Sequence, residues 1–241
     1  VFIWDLDNNK YIDMSLMGIG TSVLGYNNSF INKFVKKKID EGVNTTLNCT
    51  EEYFLAKELL KIDKFADQIK FARGGGEAMS LAVRLARSKT NKSKIIFSGY
   101  HGWHDWYLAA NLQDVSNLNN HLLKNLKPLG VPKILKNSAI PLEFNNLKEL
   151  IKISKQKNIA AIVVEPSRFK YLDKKFVNYL NKICKKKKII LIIDEITSGW
   201  RECLGGVYKK IGLHPDVVVY GKALGNGFAI SALVGKKKVM D

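Results

Sequence analysis

Short apolar runs separated by longer amphipathic stretches recur along this chain, and each run ends in a residue capable of chemistry. Ile159–Val164 leads into Glu165-Pro166, Ile189–Ile193 into Asp194-Glu195, and Val217–Tyr220 into Gly221-Lys222. Runs this short and this uniformly apolar read as strands buried on both faces. Between them, Leu147–Lys157 and Lys174–Lys187 carry apolar residues at helical spacing. Such alternation predicts an α/β three-layer sandwich, in which a mostly parallel sheet is covered by helices on both sides. Ligands of these sheets sit beyond the carboxyl ends of the strands, where the polar residues fall here.

The same pattern starts further upstream. Ile69–Ala72 is a strand leading into a helix from Glu77 to Ser88, and Lys94–Phe97 is the next strand. The last strand expected is Ile230–Val234. Val1–Asp13 reads as strand, turn, strand about Asp7-Asn8-Asn9. Asn28–Glu41 and Glu51–Ile62 are helices, the second with Thr50 as its expected N-cap. Asn111–Pro141, with Pro128, Gly130 and Pro132, reads as a long irregular surface excursion. The domain reading is an N-terminal segment over 1–50 and a ligand-binding large domain over 51–241.

The net charge of +17 raises a nucleic-acid hypothesis, but only five of the 39 basic residues are arginine, the cation best suited to forked phosphate contacts. The lysines are dispersed over helix-like surfaces, as at Lys36–Lys38 and Lys185–Lys188, so no nucleic-acid partner is expected. No apolar run approaches the ~20 residues of a membrane span, so no membrane partner is expected either. Cys49, Cys184 and Cys203 are odd in number and lack metal-ligand or CxxC spacing, which predicts reduced thiols in the cytoplasm.

Lys222 lies between an apolar strand and the turn Gly225-Asn226-Gly227, where a Schiff-base lysine would be built. Asp194 ends a neighbouring strand. A lysine for an aldehyde and an acid for a ring nitrogen together point to pyridoxal 5'-phosphate (PLP). Arg73-Gly74-Gly75-Gly76-Glu77 joins strand to helix and reads either as a bare tight turn or as an anion cradle at a helix N-terminus. It has neither P-loop nor dinucleotide spacing. His101, His104 and Asp105 are too loosely grouped to predict a metal site.

Together these segments resemble the class III, fold-type-I PLP-dependent aminotransferases, in particular the glutamate-1-semialdehyde 2,1-aminomutase-like branch. The resemblance is carried by Trp4–Asp13, Gly74–Ala78, Tyr100-His101-Gly102, Glu165-Pro166, Asp194–Arg201 and Gly221–Gly227, in the family's order. It implies that Lys222 forms the Schiff base and shuttles a proton, while Asp194 pairs with the ring nitrogen. It further implies that Tyr100 and Ile196 pack on the two ring faces, that Gly75 and Gly76 donate backbone N–H groups to the phosphate, and that His101 and Glu165 lie near the cofactor. The implied protein is a homodimer acting on a small-molecule amino donor and a carbonyl acceptor.

Departures qualify the resemblance. Gly74-Gly75-Gly76 stands where the family often has Ser-Gly-Thr, so hydroxyl contacts to phosphate are lost. Ser167-Arg168-Phe169 follows Glu165-Pro166 where aminomutases usually carry an asparagine. The Gly102–Trp106 variant resembles a subgroup tied to amino-sugar or polysaccharide precursors. Family members extend past both ends of this sequence, so a large domain truncated at both ends, without the C-terminal small domain, is expected. The alternatives to an aminotransferase or aminomutase are a basic nucleic-acid-binding module and a catalytically inactive fragment of the same fold.

Overall fold

The computed structural model describes residues 2–43 and 46–241; Val1, the first residue of the expected N-terminal strand, lies outside the described residues. Phe2–Trp4 (β1) and Lys10–Ile12 (β2) pair antiparallel as a separate hairpin. Asp5 holds its turn by accepting from the N–H groups of Asp7 (3.0 Å) and Asn9 (2.9 Å). The other strands are Gln68–Ala72 (β3), Lys94–Ser98 (β4), Ala139–Pro141 (β5), Ile159–Val164 (β6), Ile190–Asp194 (β7), Val217–Tyr220 (β8) and Ser231–Gly235 (β9). They form one sheet in the order β3-β9-β8-β7-β6-β4-β5. Strand β9 is antiparallel to both neighbours and every other pairing is parallel. The architecture is the expected mostly parallel α/β sheet.

Successive residues of a strand point to opposite faces, and two cores follow from that alternation. Ile95, Phe97, Ala161, Val163, Ile190, Ile192, Val217, Val219 and Leu233 face one side. The Gly75–Thr90 helix covers them through Ala78, Met79, Ala82, Val83 and Ala86, one helical stripe. Ile96, Ile162, Val164, Leu191, Ile193, Val218, Tyr220 and Val234 face the other side. There they meet the Leu147–Ile153 and Lys174–Lys187 helices and Leu59 of the Thr50–Ile62 helix. The Gly75–Thr90 helix stops where Asn91 turns left-handed (φ 50°), a conformation asparagine tolerates.

Three local expectations are corrected. Thr50 is the first helical residue rather than the N-cap; Cys49 holds that place without a side-chain cap. The Leu147 helix ends at Ile153, where Ser154 Oγ donates to the Ile151 carbonyl. Asn111–Pro141 is not simply a surface excursion. Asn111, Leu118, His121, Val131 and Ala139 are buried, and the stretch ends in the edge strand β5. Asn111 explains this: its amide donates to the Leu126 carbonyl (2.7 Å) and accepts from the Leu118 N–H (3.0 Å), replacing a secondary-structure ladder. Pro141 is accommodated because β5 lies at the sheet edge.

Among the described residues no helix is long and apolar enough to cross a membrane. The amphipathic Ser29–Glu41 helix, capped by Asn28 Oδ1 accepting from the Ile31 N–H, buries none of its residues.

Ile192 is fully buried at the centre of the sheet. Ile192→Ala is expected to cost about 2–5 kcal/mol of stability, read as a lower urea midpoint at unchanged slope.

Candidate active site

The two acids that end β7 part company because strand residues alternate. Asp194 continues the face of Ile190 and Ile192, and its Oδ2 accepts a hydrogen bond from His101 Nδ1 at 2.7 Å. Its Oδ1 accepts from the Ile196 N–H at 3.0 Å, which fixes the turn after the strand. Asp194 and His101 are both almost fully buried. His101 is stacked on Trp106 and meets Phe97 edge-on, so the apolar core runs directly up to the pair.

Lys222 follows β8 by two residues and would share the face of Tyr220 if the strand simply continued. Instead its backbone is left-handed (φ 45°), a strained conformation for a long side chain. Its amine reaches the pocket lined by Asp194, Ile196 and Thr197, and Nζ donates to Thr197 Oγ1 at 3.0 Å. Burial lowers the Lys222 pKa from the ordinary lysine range; the charge of Asp194 opposes this and that of Arg201 adds to it. An amine made easier to deprotonate is a better nucleophile and proton carrier.

The glycine loop forms another wall. Gly74 is the N-cap of the Gly75–Thr90 helix, and the first intrahelical bond runs from the Ala78 N–H to the Gly74 carbonyl. The Gly75 and Gly76 N–H groups therefore precede the helical ladder, at its positive end. Side chains pack close to both: a Cβ on Gly75 would lie 2.8 Å from Ile196 Cδ1, and one on Gly76 3.0 Å from His104 Cδ2, so a larger residue at either position would have to displace its neighbour. The bare loop thus lets Ile196 and His104 approach its backbone closely.

The pocket has a volume of about 330 Å³, within the roughly 300–1,000 Å³ typical of small-molecule sites. It brings together Lys222, Asp194, Gly75, Gly76, Tyr100, His101 and Ile196. Glu165 is not in its wall. Its carboxylate accepts from the Tyr100 N–H (3.0 Å) and is forked by Arg168 Nε (2.9 Å) and Nη2. Burial raises the Glu165 pKa and Asp194 adds to the rise, while Arg168 opposes it. Glu165 thereby holds the backbone that carries Tyr100. A larger cavity of about 720 Å³ lies at the opposite ends of the strands. Lysines including Lys89 and Lys185 line it, and Asp216 there is held by ion pairs to Lys236 (3.0 Å) and Lys238 (3.2 Å).

The family model of the class III aminotransferases matches residues 1–241. The chain belongs to the class III aminotransferases. It is 38% identical over 250 residues to a glutamate-1-semialdehyde 2,1-aminomutase of Nitrosopumilus maritimus (strain SCM1), covering all of this chain and 57% of that relative. It is 35% identical to the enzyme of that name from Methanocaldococcus jannaschii, with the same coverage. Among solved structures it is similar to an omega-transaminase from Sphaerobacter thermophilus, with TM-score 0.87 and 25% identity over 99% of this chain and 56% of that one. The FumI protein of Sphingopyxis sp. MTA144, solved in its PLP internal aldimine form, gives TM-score 0.85 at 25% identity over the same shares. The chain spans a little over half the length of the relatives it matches.

Several residues of this pocket were not singled out by sequence. Thr197 holds the lysine amine from 25 positions away. Thr21 lines the pocket from an N-terminal segment clasped across it: Arg201 donates to the Gly20 carbonyl, and Asn226 bonds the Leu24 N–H (2.8 Å) and the Gly25 carbonyl (3.2 Å). No local signal predicts contacts made across some 200 residues. His101 does not pair with His104, which is stacked on Trp103. Among the described residues no group of three or more His, Cys, Asp or Glu side chains could hold a metal.

Glu195 points away from the pocket, accepting from Ser198 Oγ and from the Tyr208 N–H (2.7 Å). Burial pushes its carboxyl up from 4.5 to about 7, with the Ser198 hydrogen bond opposing. The folded chain therefore holds this proton more tightly than the unfolded one. The stabilisation is complete below pH 4.5 and is lost as pH rises through 7. That loss is about 2–4 kcal/mol. Glu195→Gln, neutral throughout, is expected to lack it: between pH 5 and 8 the urea midpoint of wild type should fall relative to the variant. A constant difference would contradict a neutral buried carboxyl.

Proposed function

We propose that this chain is the cofactor-binding part of a PLP-dependent enzyme that moves an amino group, as a transaminase or a 2,1-aminomutase. The observation that carries the reading is the convergence of a partly desolvated lysine amine, a buried carboxylate and a bare glycine loop on one pocket. The fit to PLP is chemical: Lys222 for the aldehyde, Asp194 for the ring nitrogen, and the Gly75 and Gly76 N–H groups for the phosphate. Ile196 and Tyr100 supply the apolar and aromatic surfaces between which a flat ring would lie. When bound, the cofactor supplies an electron sink for a carbanion next to nitrogen.

The chain's own residues do the rest. Asp194, held by His101 through Oδ2 and by the Ile196 N–H through Oδ1, would be the residue that keeps a proton on the cofactor's ring nitrogen. The Lys222 amine, with its pKa lowered by burial, takes a proton from the substrate carbon and returns it. Thr197 steadies that amine, and Glu165 keeps Tyr100 in position through its backbone.

The substrates in this reading are an amino donor and a carbonyl acceptor. In a mutase the same carbon skeleton fills both roles, as the names of the relatives suggest for glutamate 1-semialdehyde. The narrower idea of an amino-sugar or polysaccharide precursor rests on the Gly102–Trp106 sequence alone. A homodimer is the assembly we infer, supported by the uncovered apolar side chains of Phe30, Phe34 and Ile39 on the Ser29–Glu41 helix. Cytoplasmic residence is supported by the three free cysteines.

Adding PLP to the purified chain should give a visible absorption band that borohydride converts to a stable adduct on Lys222, found by mass mapping. Lys222→Ala should abolish both and lower amino transfer at least about a thousandfold, roughly 4 kcal/mol of transition-state stabilisation. An unmodified Lys222 in well-folded, PLP-treated chain, or full transfer by Lys222→Ala, would sink the reading.

A further inference from the structure

The pocket contains one charged side chain that the fold leaves unused. Asp194 is engaged by His101 and Ile196, Lys222 by Thr197, and, beside the pocket, Arg168 by Glu165 and Arg201 by the Gly20 carbonyl. Arg73 lines the pocket and is exposed, and its guanidinium has no hydrogen bond or ion pair with any described residue. Glu77, the nearest acid in sequence, does not reach it. Glu77 Oε2 accepts the backbone N–H groups of Arg73 (3.0 Å) and Gly74 (3.5 Å) instead.

That this residue is an arginine is informative in a chain whose cations are almost all lysine. Of its five arginines, Arg73 lines the pocket, while Arg168 and Arg201 stand close enough to act electrostatically on Lys222. A guanidinium differs from an ammonium in offering parallel N–H donors that match two oxygens of a carboxylate or phosphate. The adjoining loop needs such donors. Gly74, Gly75 and Gly76 carry no side-chain donors and contribute only backbone N–H groups.

We propose that Arg73 is an oxyanion-binding residue of this pocket, donating a forked pair of hydrogen bonds to a phosphate or carboxylate carried by the pocket's ligand. The identity of that ligand rests on the amino-transfer reading above. The oxyanion is then either the phosphate of the cofactor or the acidic group of the amino donor.

The test is made by binding, on the wild-type chain, Arg73→Gln and Arg73→Lys. Because the Arg73 side chain has no partner in the fold, all three should share one urea midpoint. Each is titrated with pyridoxal phosphate and with pyridoxal, and then, once cofactor-loaded, with glutarate as a carboxylate probe. If the cofactor phosphate is the partner, Arg73→Gln binds pyridoxal phosphate about tenfold or more weakly and pyridoxal as well as wild type does. If the donor's acidic group is the partner, both cofactor forms bind normally and glutarate affinity falls about tenfold or more. In either case Arg73→Lys should recover only part of the loss, because it keeps the charge without the fork. Affinities for all three probes within about twofold of wild type would overturn the inference.

Failure of the amino-transfer reading shows separately, as absence of a Lys222 adduct in the wild type. Inorganic phosphate then serves as the probe on the unloaded chain. Binding weakened about tenfold by Arg73→Gln would still support an oxyanion site, and unchanged or undetectable binding would refute it.

Discussion

The contact on which the site depends is the 2.7 Å hydrogen bond between His101 and Asp194, because it keeps an acid usable inside an apolar core. A carboxylate as buried as this one is tolerated only when its lone pairs are engaged, and both of its oxygens are. The bond also joins the loop after β4 to the end of β7 across the intervening β6. His101 is itself wedged among Phe97, Trp106 and Tyr107, so the aromatic core sets the position of the imidazole and the imidazole sets that of the carboxylate.

The other side of β7 is anchored just as firmly by different chemistry. Glu195 reaches the Tyr208 N–H, and the Tyr208 hydroxyl donates to Asp63 (2.7 Å), which also pairs with Lys209 (2.8 Å). This network ties the end of the Thr50–Ile62 helix to the segment after β7. Close approach is possible only past glycine: a Cβ on Gly206 would lie 2.7 Å from Glu195 Oε1. Gly99 does the same for Glu165, with a left-handed φ of 119° and 2.3 Å between a hypothetical Cβ and Oε2. Three buried acids at neighbouring strand ends thus serve different ends. Asp194 faces the pocket, Glu165 positions Tyr100, and Glu195 braces the sheet from beneath.

The charge of the chain and the charge of the site follow separate rules. Lysines spread over helix surfaces, as on Lys174–Lys187, account for most of the +17 and say little about function. At the pocket the cations are few, and all but Arg73 are already committed within the fold. A basic composition therefore does not by itself mark a nucleic-acid surface here; the positions of a few arginines carry more information than the total.

Much of the architecture was legible in sequence because it rests on local rules. Apolar runs of strand length, helical stripes between them and polar residues just beyond each run predicted the parallel sheet and the rim where Lys222, Asp194, Tyr100 and the glycine loop meet. The resemblance of six short segments added the family, which needs no contact between them to be visible. Tertiary structure alone decided which way each group faces. Strand alternation sends Asp194 and Glu195 to opposite layers, whereas the left-handed backbone at Lys222 breaks that alternation and turns its amine to the pocket. Glu165 withdrew from the pocket because Arg168 and the Tyr100 N–H claim it. Thr21, Thr197 and the unpaired Arg73 joined the site through packing between segments far apart in the chain, which no sequence window contains.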